Sequence, residues 1–197
     1  SMLAGMGQGE SAPAGRGPVA RGAVFEGLTP LVFLDVDGVL NSKATRKMKW
    51  SDELAMLKLE DAPSPQLLQN LSLLVERTGG IIVLSSTWRL VPKKRAEVSA
   101  ALAGYGMAIW SDTPDLSPTA GGDRVDEILL WLSKLSAQAD GKVPPFVAID
   151  DMDLLAMNPR LEEQQFVRTD DCVGLQREDA EAAVAKLEAQ ARLLRKR

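Results

Sequence analysis

The segment from Leu31 to Asn41, Leu-Val-Phe-Leu-Asp-Val-Asp-Gly-Val-Leu-Asn, constrains the fold more than any other: four apolar residues run straight into Asp35 and Asp37. Branched and aromatic side chains at successive positions, preceded by Pro30, suit a central parallel strand covered on both faces. Asp35 then stands at the strand's mouth, and Gly38 permits a tight or left-handed turn just beyond Asp37. Both carboxylates would converge at the carboxyl edge of a sheet, where open α/β sheets bind ligands.

Two ionised carboxylates sharing a small volume repel, so one takes up a proton unless a cation neutralises them. The chain has no His and one Cys, which leaves a nitrogen or sulfur metal site almost no ligands, and hard oxygen donors suit magnesium better than zinc. Two other readings of the segment stay open on its residues alone. One is an Asx-type turn whose acids are satisfied by backbone amides; the other is a calcium loop, in which Asp-x-Asp-Gly strings also occur.

At 197 residues the chain is long enough for one domain with a substantial core and short for two. Its 27 acidic residues against 23 basic ones give a net charge of −4, the wrong sign for a protein that coats nucleic acid, so any such contact must come from a local patch. Cys172 admits no internal disulfide and reads as a reduced thiol. No apolar run reaches the length of a membrane helix, and a soluble, cytoplasmic protein without membrane contact is expected.

Residues 1–27 are rich in Gly, Ala, Pro and Ser and read as a flexible leader, with a weak organellar presequence as the alternative. Residues 28–197 then read as one domain. The stretch from about 41 to 63, with Lys43, Arg46, Lys47, Lys49 and Trp50, reads as a flap over the strand edge. Ser64-Pro65 opens a helix carrying Leu67, Leu68, Leu71, Leu74 and Val75 on one face as far as Gly79-Gly80. Ile81–Leu84 is a second apolar strand, and it ends in Ser85-Ser-Thr-Trp-Arg89. A helix over 91–103, a short strand over 107–110, a helix opened by Arg124, a strand Phe146-Val-Ala-Ile-Asp-Asp151 and a strand over 165–168 follow. A helix from about 179 to 197 closes the chain.

Three apolar strands therefore end in Asp-x-Asp-Gly, in Ser-Ser-Thr and in Asp-Asp, and right-handed parallel crossovers bring those ends together. This ordered set resembles the haloacid dehalogenase (HAD) superfamily of phosphohydrolases. Phe33-Leu-Asp-Val-Asp-Gly-Val resembles its first motif, Val83-Leu-Ser85 its second and Ile149-Asp-Asp151 its fourth. Arg124, with Lys142 as rival, stands where the third has Lys or Arg. Val39-Leu-Asn41, Leu84 to Arg89, and Arg168-Thr-Asp with Val173-Gly-Leu175 most resemble the small HAD domains grouped with Swiss Army Knife RNA-repair proteins.

The resemblance implies an α/β, Rossmann-like HAD fold: a mostly parallel five-stranded sheet flanked by helices, with little or no cap. It also implies roles. Asp35 would attack phosphorus, Asp37 would serve as general acid and base, and Ser85 and Arg124 would hold the phosphoryl charge. Magnesium would be held by Asp35, the Asp37 carbonyl, Asp150 and Asp151. Asn41, Ser86, Trp88 and Arg89 would line the substrate side, with Trp88 stacking on a base and Arg89 pairing with a second phosphate, the alternative for Trp88 being a cap on the core. The expected reaction is hydrolysis of a phosphomonoester on a polynucleotide end, a phosphoprotein or a small ester. The alternative is a catalytically silent binding module for nucleic acid or protein. Oligomeric state is not encoded in any recognisable pattern.

Overall fold

The computed structural model describes Phe25 and residues 29–45, 62–116, 122–139 and 141–196. The leader expected over 1–27, apart from Phe25, and the central part of the expected flap with Arg46, Lys47, Lys49 and Trp50 lie outside the described residues. Phe25 is a correction to the leader: it is buried among the core side chains.

Five strands, β1 (Leu31–Leu34), β2 (Ile81–Leu84), β3 (Ile109–Asp112), β4 (Phe146–Asp150) and β5 (Phe166–Arg168), form one sheet in the order β3-β2-β1-β4-β5. Every pairing is parallel. Helices among the described residues include α1 (Pro65–Thr78), α2 (Pro92–Ala103), α3 (Arg124–Gln138), the short α4 (Leu154–Met157) and α5 (Arg177–Leu194). The chain steps outward through β2 and β3, returns to the other side of β1, and steps outward again through β4 and β5. The reversal makes the β1/β4 junction the topological switch point, the usual ligand crevice of such sheets.

Alternation along the strands sorts the core into two layers. Val32, Leu34, Ile82, Leu84, Val147 and Ile149 face α1, α2 and α5. Leu31, Phe33, Val83, Phe146 and Ala148 face Val125, Ile128, Leu132 and Leu135 of α3. Steps taken in opposite directions put their helices on opposite faces, as right-handed crossovers require. Continuous burial on both faces explains why the strands read as unbroken apolar runs.

The third strand departs from expectation. The sequence points to 107–110, whereas pairing runs from Ile109 to Asp112, with a register shift opposite Ile82 and Val83. Met107 is instead a core plug. The polar end of this edge strand is held by side chains that strand propensity does not register: Ser111 accepts from the Trp131 indole at 3.1 Å, and Asp112 pairs with Arg95 at 2.7 Å. The last helix starts at Arg177, where Gln176 and Asp179 form a reciprocal cap, and buries Leu187 and Ala191 against its own fold. Among the described residues no helix is long and apolar enough to cross a membrane.

Candidate functional site

Backbone pairing continues one step past the strands, and this step builds the site. The Asp35 amide donates to Ile149 O at 3.0 Å, the Ser85 amide to Leu34 O at 2.8 Å, and the Thr169 amide to Asp150 O at 3.0 Å. Asp35, Ser85 and Asp150 are thereby held side by side at the switch point. All three are buried, at 5%, 2% and 2% exposure.

The loop after β1 then turns sharply. Val36 O accepts from the amides of Val39, Leu40 and Asn41, and Gly38 sits at φ 74°. A Cβ on Gly38 would stand 2.5 Å from Asp151 Cγ, so glycine serves both the backbone angle and the approach of Asp151. The Thr169 hydroxyl ties this loop to β5 by donating to Gly38 O at 2.9 Å. As a result, carboxylate oxygens of Asp35, Asp150 and Asp151 lie within 4.8 Å of one another.

Arg124 enters from the opposite layer. Asp123 caps α3 in a reciprocal box with Asp126, and Asn158 donates to both, which fixes the helix start. A cation at a helix N-terminus opposes the macrodipole and needs acids to offset it. Here Arg124 Nη1 lies 3.1 Å from Asp35 Oδ1 and 3.1 Å from Asp150 Oδ2, and it also meets the Ser85 carbonyl. Lys142, the rival for this place, is exposed in the turn beyond the far end of α3.

Three carboxylates cluster beside one guanidinium, and the shortfall shows in the protonation of Asp35 and Asp150. Burial, and next the repulsion of Asp150, push Asp35 up to about 7, with Arg124 only partly offsetting them. Burial likewise pushes Asp150 up to about 6, against the pull of Arg124 and of the Met152 amide. Such acids take a proton or a cation. The deficit matches one divalent ion, and an all-oxygen donor set fits magnesium chemistry. The Ser85 Oγ is buried beside these acids and has no hydrogen-bond partner among the described residues, as an oxygen awaiting an anionic ligand would be.

The other expected site residues fall elsewhere. The carboxylate of Asp37 is not one of the three; it accepts from Asn41 Nδ2 at 3.0 Å and from Trp88 Nε1 at 2.9 Å. Asn41 and Trp88, expected to touch substrate, are each 1% exposed and reach Asp37 instead. With Lys94 Nζ 4.8 Å over its ring, Trp88 has no open face on which a base could stack. Ser86 is fully buried, caps the turn at Trp88 and hydrogen-bonds Asp35.

Arg89 is the clearest correction. Its guanidinium, expected to meet a phosphate, is buried against Glu127 at 2.8 Å and donates to the carbonyls of Ser86, Thr113 and Pro114 at 2.6, 2.9 and 3.0 Å. Glu127 was not among the expected residues. Its signal was readable: an acid between Val125 and Ile128, on the stripe that packs α3 into the core. Asp153 caps α4 and pairs with Arg168, while Asp171 pairs with Lys43, so these acids have local partners.

Residues 31–180 match the family described as the HAD domain in Swiss Army Knife RNA repair proteins. Comparison with curated proteins and with solved structures returned no match.

Proposed function

The chain belongs to the family of HAD domains found in Swiss Army Knife RNA repair proteins, within the HAD superfamily of hydrolases and phosphatases, and from that premise we propose a magnesium-dependent phosphomonoester hydrolase with an aspartyl nucleophile. The observation that carries this reading is the cluster of Asp35, Asp150 and Asp151 around a charge deficit, beside the unpartnered Ser85 hydroxyl.

In the first half-reaction an Asp35 carboxylate oxygen forms a bond to phosphorus while the bond to the leaving oxygen breaks. The departing electron pair takes a proton from the Asp37 carboxyl. In the second, Asp37 takes a proton from water as that water attacks phosphorus, the Asp35 to phosphorus bond breaks, and inorganic phosphate leaves. Ser85 donates to a phosphoryl oxygen and Arg124 follows its charge. Magnesium held by Asp35, Asp150, Asp151 and the Asp37 carbonyl would supply charge neutralisation that lets the anionic nucleophile and the phosphate approach.

The description of the family favours a phosphorylated polynucleotide end as the first substrate to try, ahead of phosphopeptides and small esters. The test is turnover of an aryl phosphate with and without magnesium, repeated with Asp35→Asn. Metal-dependent turnover lost in that variant supports the reading. Turnover that survives it removes Asp35 from the chemistry, and metal binding without turnover makes the chain a binding module.

A further inference from the structure

The side chain of Asp37 is gripped at both oxygens by donors from different segments, Asn41 on its own loop and Trp88 on the turn that follows β2. We propose that Trp88 is the positioning residue of Asp37, its indole N–H fixing the carboxyl in the orientation from which protons pass to the leaving oxygen and from water. The proposal rests on the phosphatase reading and adds to it a group that acts on the reaction only through the Asp37 carboxylate.

The chemistry of the two donors suits this task. An indole N–H is a donor only, and a primary amide is uncharged, so neither can receive the proton that Asp37 must handle. The indole is also a rigid support. Trp88 is 1% exposed and lies in the 3-10 turn Thr87–Leu90. The Ser86 hydroxyl accepts its backbone amide, and Lys94 covers its ring. Asp37 stands just before the turn at Gly38 and is only partly buried, so loss of the indole loosens the orientation of its carboxyl toward the reacting atoms. Asn41 shares the Asp37 loop and moves with it. Among the described residues Trp88 is the side-chain donor that holds Asp37 from outside that loop.

A purely structural account runs the other way: a buried indole N–H needs an acceptor, and Asp37 supplies one. The two accounts differ in leaving-group dependence. When Asp35 forms its bond to phosphorus and the ester bond breaks, an alkoxide must take a proton from Asp37, whereas a nitrophenolate departs without one. The ratio kcat/KM reports this half-reaction alone, up to formation of the phosphoenzyme.

The experiment compares 4-nitrophenyl phosphate with a simple alkyl phosphate in the full chain, as wild type, as Trp88→Phe and with 3-benzothienylalanine at position 88. The benzothienyl side chain keeps the outline of the indole and lacks the N–H, so it separates loss of the donor from loss of packing. Both variants should lower kcat/KM on the alkyl ester about tenfold or more while leaving the aryl ester within about twofold. They should also give a burst of nitrophenolate, because Asp37 is still needed to activate water. An equal loss on both esters, or none, overturns the proposal.

A second measurement is independent of turnover. Asp37→Ala should move the Trp88 resonance among the indole N–H signals of the chain's 4 tryptophans, and a resonance that ignores the change overturns the contact. If the wild type hydrolyses neither ester, the phosphatase reading has failed first and the positioning role falls with it.

Discussion

Two buried arginines sit a few residues apart in space and in opposite circumstances. Arg89 is saturated: one carboxylate and three carbonyls receive its N–H groups, and Glu127 also accepts the Leu116 amide at 3.2 Å. Arg124 is outnumbered, sharing its charge between Asp35 and Asp150, with Asp151 beside them and Glu127, the partner of Arg89, 3.9 Å from its Nε. A closed polar network is what a fold builds to hold loops together, because every desolvated group finds a partner. An open one, with acids short of a cation and a hydroxyl without a partner, is what a binding site looks like before its ligand arrives. Burial and charge alone do not separate the two arginines; the balance of donors and acceptors around each does.

The sharpest way to break this contrast is to remove a charge from the outnumbered side. Asp35→Asn should cut turnover by about 10⁴-fold or more if Asp35 is the nucleophile. The same change should leave the metal-free fold as stable as before, or more so, since it deletes a buried charge that Arg124 only partly offsets. Activity assays and thermal melts on one preparation decide it. A variant that unfolds would place Asp35 with the saturated network.

Arg89→Ala should show the converse. Removing one partner of a buried pair leaves the other uncompensated, at a cost of about 3–5 kcal/mol. Chemical denaturation measures it, and the double change Arg89→Met with Glu127→Leu should recover much of the loss. If Arg89→Ala melts like the wild type but binds substrate poorly, the reading of Arg89 as a phosphate ligand returns.

Ser85→Ala sharpens the comparison at smaller scale. Its hydroxyl makes no hydrogen bond among the described residues, so stability should change by no more than about 0.5 kcal/mol, while kcat falls about tenfold to a hundredfold. A large stability loss would mean that the hydroxyl already has work in the fold.

The outnumbered site was legible in the sequence and the saturated one was not, for a physical reason. Asp35, Ser85 and Asp150 each end an apolar strand, and parallel register carries strand ends to one rim wherever the intervening chain goes. Trp88 and Arg89 follow the second of those strands, and the same logic assigns them to the rim. Their partners are set by side-chain packing instead. The Trp88 contact with Asp37 spans 51 positions, and the acid facing Arg89 lies on another layer's helix. No local pattern encodes such a meeting. The shift of β3 has a related origin, since Ser111 and Asp112 are kept in the strand by Trp131 and Arg95, residues that lie outside it.

The smallest expected effect tests the charge deficit itself. In the folded, metal-free protein Asp35 and Asp150 hold protons up to about 7 and about 6, against 3.8 for an unperturbed aspartate. Between roughly pH 4 and 7 the folded state therefore binds more protons than the unfolded chain, and the linkage relation makes stability fall as pH rises through that window. The thermal midpoint of metal-free protein should be lower near pH 8 than near pH 5. Asp35→Asn should flatten that slope, and the difference between the two proteins isolates the site from other titrating groups. Magnesium binds the ionised acids, so it should raise the midpoint more near pH 8 than near pH 5. A metal-free midpoint that holds level or climbs between those values, equally in both proteins, would mean that Arg124 satisfies its acids without help, and the contrast with Arg89 would disappear.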